Sequence, residues 1–569
     1  MQLFYLIKKY FGEGVIIFAL VFSINNYFGN ESLVIKADGT GYYDYLPSIF
    51  IYGDLPKAKE NNVSERIQKM GVYVSYKGHK LNKYPCGTAV LLFPFFIYAH
   101  LTSTFQGFIA DGFSLPYQRA VFYGALFYLF FSLIFLKRLL RLYNTPGTII
   151  FFIQVLVVFS TSIINYVNYD PSFSHVYSFF AITTFLYFVK AYFINKKQND
   201  FLWACVFLSL IIILRQVNVI IVLFIPFLAG SFSELKASFV DLFKNKYLLL
   251  KAFFLIFGIV SIQLYFWFQQ TGEFIVFSYQ GESFNFLDPA FIDILFSYKK
   301  GLFVYTPVFF VAMFALFFYI KRKQIYLFVS WLSFFLLLTY VLSSWWCWYY
   351  GCSYGLRAYI DFYAIFCILL ATILDSQKKL LKWFIVIVLL VTIPINMIQT
   401  LQYKRNILHW TSMDKKKYWF VFLKTSRAYE GLVNSEGLFS ENEPLHLIKI
   451  KTSKNKFVSS IRDEASSIVA DRDVGLAWET FNIIILSPTK IALKSDEGSY
   501  VSVRPDEGGI LKHSAKEIKE WETFTMISFG KDTILLKAFN NKYIKLNGIK
   551  LFASADSLNE GDRFTIIKL

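Results

Sequence analysis

The sequence predicts a multi-pass α-helical membrane domain with about eleven transmembrane helices, followed by an all-β domain at the C-terminus. Three observations predict this. The 569 residues are 56% hydrophobic and 20% aromatic but only 17% charged, whereas a soluble chain of this size carries about 25% charged residues. Repeated apolar stretches over the first 400 residues are long enough to cross ~30 Å of hydrocarbon. From about Glu443 the chain turns polar and alternating, rich in Lys, Asp, Glu and Ser, and repeats itself three times.

Lys8 and Lys9 precede the first apolar run, and no small-residue cleavage signal follows it. It reads as a retained span, not a signal peptide. Spans are expected near 14–29, 116–137, 148–166, 172–193, 202–214, 217–230, 248–269, 303–320, 325–344, 357–375 and 382–400. Lys8/Lys9, Lys137/Arg138/Arg141, Lys196/Lys197, Lys236/Lys244/Lys246, Lys321/Arg322/Lys323 and Lys378/Lys379/Lys382 then fall on one side. By the positive-inside rule that side is cytoplasmic. The N-terminus is then inside and the C-terminal domain extracytoplasmic, in a cytoplasmic (inner) membrane. The apolar stretch 88–105 belongs to a large outer loop, 30–115, and is expected to dip into the outer leaflet without crossing.

The +18 net charge is dispersed in short clusters between apolar runs. That pattern fits loops and lipid headgroups and excludes a nucleic-acid partner. Cys86, Cys205, Cys347, Cys352 and Cys367 have no metal-ligand spacing; Cys347 and Cys352 either pair in an outer loop or stay reduced. The histidines are scattered, and no cluster requires a metal. No span carries an acid near its middle, which argues against an ion-coupled transporter.

The polar residues that stand out gather on the outer side. They occur in Ala37-Asp38-Gly39-Thr40-Gly41-Tyr42-Tyr43-Asp44, Lys83-Tyr84-Pro85-Cys86-Gly87, the turn from Asn168 to His175, Leu214-Arg215-Gln216, Tyr279 to Glu282, Ser297 to Gly301, and Trp345 to Arg357. Carboxylates, isolated cations and aromatic surfaces on one face are the ingredients for a base, a phosphate site and a sugar or prenyl platform.

In the segment from Asp38 to Asp44, the Lys83-Tyr84-Pro85 entry and the tryptophan-rich loop ending Gly355-Leu356-Arg357, residues 1–400 resemble the GT-C superfamily of integral-membrane glycosyltransferases. That superfamily includes protein O-mannosyltransferases and aminoarabinose transferases. The resemblance implies a polyprenyl-phosphate-linked sugar as donor, an extracytoplasmic glycan, lipid or protein as acceptor, and an acidic base in the first outer loop. Some members use a divalent ion. The chain departs from the family in having no adjacent acidic pair there; Asp38 and Asp44 lie six residues apart. Asp38, among glycines, is the expected catalytic base in a flexible turn. A single carboxylate fits one-step inversion. Asp44, Tyr42, Lys83, Tyr84, His175, Arg215, Lys300, Trp348 and Arg357 are the expected substrate-binding residues. Arg357 and Lys300 are assigned to the lipid phosphate.

Residues 401–442 are expected as a linker and 443–569 as a β-trefoil. Phe457, Tyr500 and Tyr543 recur 43 residues apart, and Trp478-Glu479-Thr480-Phe481 recurs as Trp521-Glu522-Thr523-Phe524, then degraded at Asp562-Arg563-Phe564. Three four-strand units of about 42 residues make that fold, and the motifs resemble fascin-like domains. The recurring aromatics are expected in the core. A docking role for this domain is also compatible with the alternative reading, a non-enzymatic lipid-linked sugar flippase.

Overall fold

The computed structural model describes residues 2–29, 33–59, 63–375, 379–439, 444–463, 465–530 and 532–569. Lys378 and Glu443 lie outside the described residues. The chain divides into two units, Met1–Thr400 and Leu401–Leu569.

The first unit is helical. Among the described residues eight helices are long and apolar enough to cross a membrane: Lys9–Phe28, Gly87–Gln106, Leu115–Arg141, His175–Asn195, Lys246–Thr271, Ile325–Ser343, Arg357–Asp375 and Lys379–Lys404. Gly147–Phe159, Gln198–Leu214 and Pro307–Lys321 are apolar but shorter, and Gln216–Ala229 meets Phe232–Lys244 at a 117° bend. Four of the expected spans are therefore short or broken helices. Helix breaks are tolerated where buried protein satisfies the freed backbone groups.

The segment 88–105, expected only to dip into the leaflet, lies in Gly87–Gln106, itself one of the eight helices long enough to cross, and packs against Leu115–Arg141. Tyr128 donates to the Leu91 carbonyl at 2.8 Å and His100 Nδ1 meets the Tyr117 hydroxyl at 2.6 Å. At its start the Cys86 N–H donates to Gln263, deep in Lys246–Thr271, at 2.7 Å.

Among the described residues two buried acids lie within the long apolar helices, each near one end. Glu13 is 1% exposed in the first helix, held by Lys137 and Gln154 at 3.0 Å each. Asp361 is 0% exposed near the start of Arg357–Asp375. Neither stands near the middle of its helix. Both acids are paired, as buried charges must be.

Among the described residues the second unit carries twelve strands in one sheet. The segment 401–439 belongs to it, with helix Lys415–Val421 and short 3₁₀ turns. Lys449 Nζ reaches from the first strand to the carbonyls of Ala428 at 2.7 Å and Gly475 at 2.6 Å. Six strands close on themselves by antiparallel pairing: Leu447–Lys451, Thr480–Ile485, Lys490–Lys494, Phe524–Ser528, Thr533–Lys537 and Phe564–Lys568. Three hairpins complete the sheet, Phe457–Ser460 with Ile468–Arg472, Tyr500–Arg504 with Ile510–Ala515, and Tyr543–Asn547 with Lys550–Ala555.

The repeat is physical as well as textual. Each hairpin shifts register immediately after its recurring aromatic, at Phe457, Tyr500 and Tyr543. Each aromatic also lies opposite a lysine, with Lys451, Lys494 and Lys537 ammoniums 4.5, 5.5 and 5.6 Å from the ring centroids. Phe481, Phe524 and Phe564 fill the core. The tryptophans do not. Trp478 and Trp521 are 37% and 40% exposed, each faced by an arginine, Arg462 at 5.5 Å and Arg504 at 5.8 Å. Their glutamates explain the motif instead: Glu479 and Glu522 are buried and accept the N–H three residues earlier, from Leu476 at 2.7 Å and Lys519 at 2.9 Å.

Candidate active site

Asp38 opens the short helix Asp38–Tyr43, and the backbone just before it is strained, with Ala37 at φ 47°. A non-glycine residue at positive φ costs on the order of 1–3 kcal/mol and persists only where its surroundings enforce it. The glycines around Asp38 serve packing more than flexibility, which corrects the expected loose turn. A Cβ on Gly39 would overlap the Ser172 hydroxyl, and one on Gly41 the Tyr84 ring. Their absence lets the Asp38 segment seat against the 168–175 turn and Lys83-Tyr84.

The result is a tight polar cluster. Asp38 Oδ2 meets Arg357 at 2.7 Å and Oδ1 accepts from the Tyr84 hydroxyl at 2.8 Å. The Asp38 side chain remains 30% exposed, so an approach to the carboxylate stays open. Burial works to raise its carboxyl, but the Arg357 charge and the Tyr84 hydrogen bond outweigh it and hold the group below the usual range. Tyr42 packs on Tyr84 with centroids 4.8 Å apart, and Tyr84 faces Tyr279 at 6.2 Å. Lys83 pairs with Glu282 and sits 5.1 Å from the centre of the Tyr279 ring. Arg357 also lies 5.2 Å over Phe173.

Next to Phe173 a second centre forms. His175 lies against Phe173 and Tyr166 at centroid distances of 6.4 and 5.0 Å. Its Nδ1 is 2.8 Å from Asp361 Oδ1, while Asp361 Oδ2 takes Arg215 at 3.1 Å and Asn218 at 2.7 Å. A carboxylate only accepts, so Nδ1 carries the proton toward Asp361, and Arg215 Nη1 lies 3.2 Å from the same nitrogen. Tyr42 lies within reach of the charges of Arg215, Asp38 and Arg357, so the two centres adjoin.

Asp44 is elsewhere. Its side chain is 0% exposed and holds Arg66 at 2.6 Å, Tyr73 at 2.6 Å and Ser48 at 2.8 Å, while Arg66 also grips Asp54 at 2.6 Å. Burial raises the Asp44 carboxyl despite Arg66. This is a structural clamp on the outer loop, and the expectation of Asp44 as a substrate contact does not fit it. Lys300 is 1% exposed and donates to Gly351 at 3.2 Å and to the carbonyl and hydroxyl of Ser353. Burial, with Arg357 nearby, lowers the Lys300 ammonium well below its ordinary value. It pins the loop that delivers Arg357. Trp348 packs edge-on to Tyr349 at 5.7 Å in the same loop.

Cys347 and Cys352 are both free thiols. Among the described residues no three His, Cys, Asp or Glu side chains group as a metal site. Asp170 also borders the cluster. It sits 3.9 Å from Lys36 and 3.1 Å from Asn165, and burial pushes its carboxyl up to about 6.

Asp361, Asp170, Arg66 and Tyr73 are the residues that the sequence reading missed. Asp361 had a signal: it is an acid inside an expected span, four residues after Arg357. Arg66 and Tyr73 had none, being ordinary in type and set in a polar loop.

No family model matches the chain, and no curated protein does. Among solved structures, a designed three-fold symmetric protein, ThreeFoil, matches at 11% identity and TM-score 0.20, over 22% of this chain and 99% of its own. A mosquitocidal holotoxin matches at 15% identity and TM-score 0.20 over 23% of this chain, which spans 18% of the toxin's length.

Proposed function

We propose that the chain is an inverting membrane glycosyltransferase of the GT-C type, moving a sugar from a polyprenyl-phosphate donor to an extracytoplasmic glycan, lipid or protein. The observation that carries this reading is the Asp38–Arg357–Tyr84 cluster, a partly open carboxylate beside an arginine and a wall of tyrosines. Asp38 takes the proton of an acceptor hydroxyl. The freed oxygen attacks the anomeric carbon, and the bond from that carbon to the phosphate oxygen breaks. Arg357 balances the charge on the departing lipid phosphate. In the resting geometry Arg357 engages Asp38, so the base is weak. A donor phosphate that draws Arg357 toward itself lets burial raise the carboxyl, and the base strengthens as substrate arrives.

The C-terminal strands are read as a β-trefoil of fascin-like type, supported by the closed ring of six strands and three equivalent hairpins. The chain is assigned to the cytoplasmic membrane with the N-terminus inside and this domain outside. The eleven-crossing topology treats 88–105 as a dipping segment, although its helix is long enough to cross.

A labelled polyprenyl-phosphate sugar incubated with purified protein and cell-envelope fractions tests the reading. Transfer by wild type and its loss in Asp38→Asn are expected; unimpaired transfer in that variant overturns it. A second reading, a lipid-linked sugar flippase, is favoured by the buried His175–Asp361–Arg215 centre within apolar helices. Movement of donor across vesicles with no release of polyprenyl phosphate selects it.

A further inference from the structure

We propose that the C-terminal unit holds a binding cleft for a neutral glycan, built between residues 405–431 and the turn 471–479 of the first repeat. The cleft has a volume of about 760 Å³, within the range of ~300–1,000 Å³ typical of small-ligand sites. It lies wholly within residues 401–569, and the reading does not rest on the transferase assignment.

The threefold repeat supplies the first argument. Trp478 and Trp521 occupy equivalent places, each about two-fifths exposed and each faced by an arginine. Only Trp478 lines the cleft. The difference is segment 405–431, which is outside the repeat and walls the first unit alone. A buried lysine holds that wall on, Lys449 donating both to Ala428 in the wall and to Gly475 in the turn. Gly431 and Asn406 are tied by a 2.9 Å backbone bond. The fold thus commits a desolvated cation to holding the two sides in place.

The lining supplies the second. An open indole edge gives the flat apolar surface that the C–H face of a sugar ring covers. Around it stand Asp471, Asp473, Glu430, Asn406, Arg405 and Arg472, acceptors and donors suited to hydroxyl groups. Four carboxylates, Glu479 included, face two guanidiniums, so the cleft has no excess cation to select an acidic ligand. Asp471 Oδ1 is enclosed and ion-paired with Arg472 Nε at 3.4 Å, which holds the carboxylate in place on the cleft wall, and the side chain as a whole stays 36% exposed. That exposed part is an acceptor for a sugar hydroxyl.

The test uses the full chain in detergent against immobilised neutral and acidic di- to tetrasaccharides. Retention of at least one neutral oligosaccharide is expected. Trp478→Ala and the near-isosteric Asp471→Asn should weaken it about tenfold or more, while Trp521→Ala, which removes the equivalent indole outside the cleft, leaves it unchanged. Three results overturn the proposal: no retention of any neutral glycan, retention of acidic glycans alone, or equal weakening by Trp478→Ala and Trp521→Ala. Donor turnover, measured separately without glycan, reports on the transferase reading and keeps the two failures apart.

Discussion

Removing Arg66 should convert the outer loop from a clamped to an open segment, with an effect that pH reverses. Arg66 makes bonds of 2.6 Å to Asp44, 2.6 and 3.0 Å to Asp54, and 2.5 Å to Ser48. In Arg66→Ala, Asp44, whose side chain is 0% exposed when Arg66 is present, keeps only Tyr73 and Ser48. Breaking one side of a buried pair costs about 3–5 kcal/mol.

The sign follows from burial, which already raises the Asp44 carboxyl. In the variant its folded pKa climbs further above the unfolded value. The penalty is then full above the folded pKa and fades as pH falls through it toward the unfolded one. Amide hydrogen exchange of the hairpin Tyr73–Asn82, whose two strands pair antiparallel, reads the local opening. Exchange should quicken on the order of 10²–10⁴-fold at pH 7.5 and by much less at pH 5, once intrinsic rates are removed. Arg66→Met with Asp44→Asn should return close to wild type, because a neutral Asn leaves no buried charge. An equal loss at both pH values, or a double variant as open as Arg66→Ala, refutes the reasoning.

Further outcomes are expected at the site itself. Asp38→Asn keeps a hydrogen-bond acceptor for Tyr84 and should fold, yet lose ~10²–10⁴-fold in transfer; Tyr84→Phe should lose less, read by labelled-donor turnover. Asp361→Asn leaves Arg215 without its carboxylate and should cost ~3–5 kcal/mol. Thermal unfolding in detergent should show that loss, and Arg215→Met in the same chain should restore most of it. Gly39→Ala should abolish turnover by pushing the Asp38 segment off Ser172, and Ser172→Gly should recover part of it; full activity in Gly39→Ala would show that the close approach does not matter.

Much of the architecture was legible because its signals are local. An apolar run needs no partner to declare itself, and neither does a 43-residue repeat whose aromatics each sit at a register shift opposite a lysine. Asp38 and Arg357 were legible too, as polar residues out of place among apolar neighbours, and they meet at 2.7 Å. What tertiary structure alone decided was which charge answers which. Asp38 and Asp44 are both acids beside aromatic residues, six positions apart. One remains partly open against Arg357, and the other is closed over by Arg66. The tryptophans, repeated as faithfully as the phenylalanines, proved to lie outside the core. Burial and charge pairing depend on what folds back from far along the chain, and no local pattern carries that information. Composition and periodicity set the elements; the choice of partners belongs to the fold.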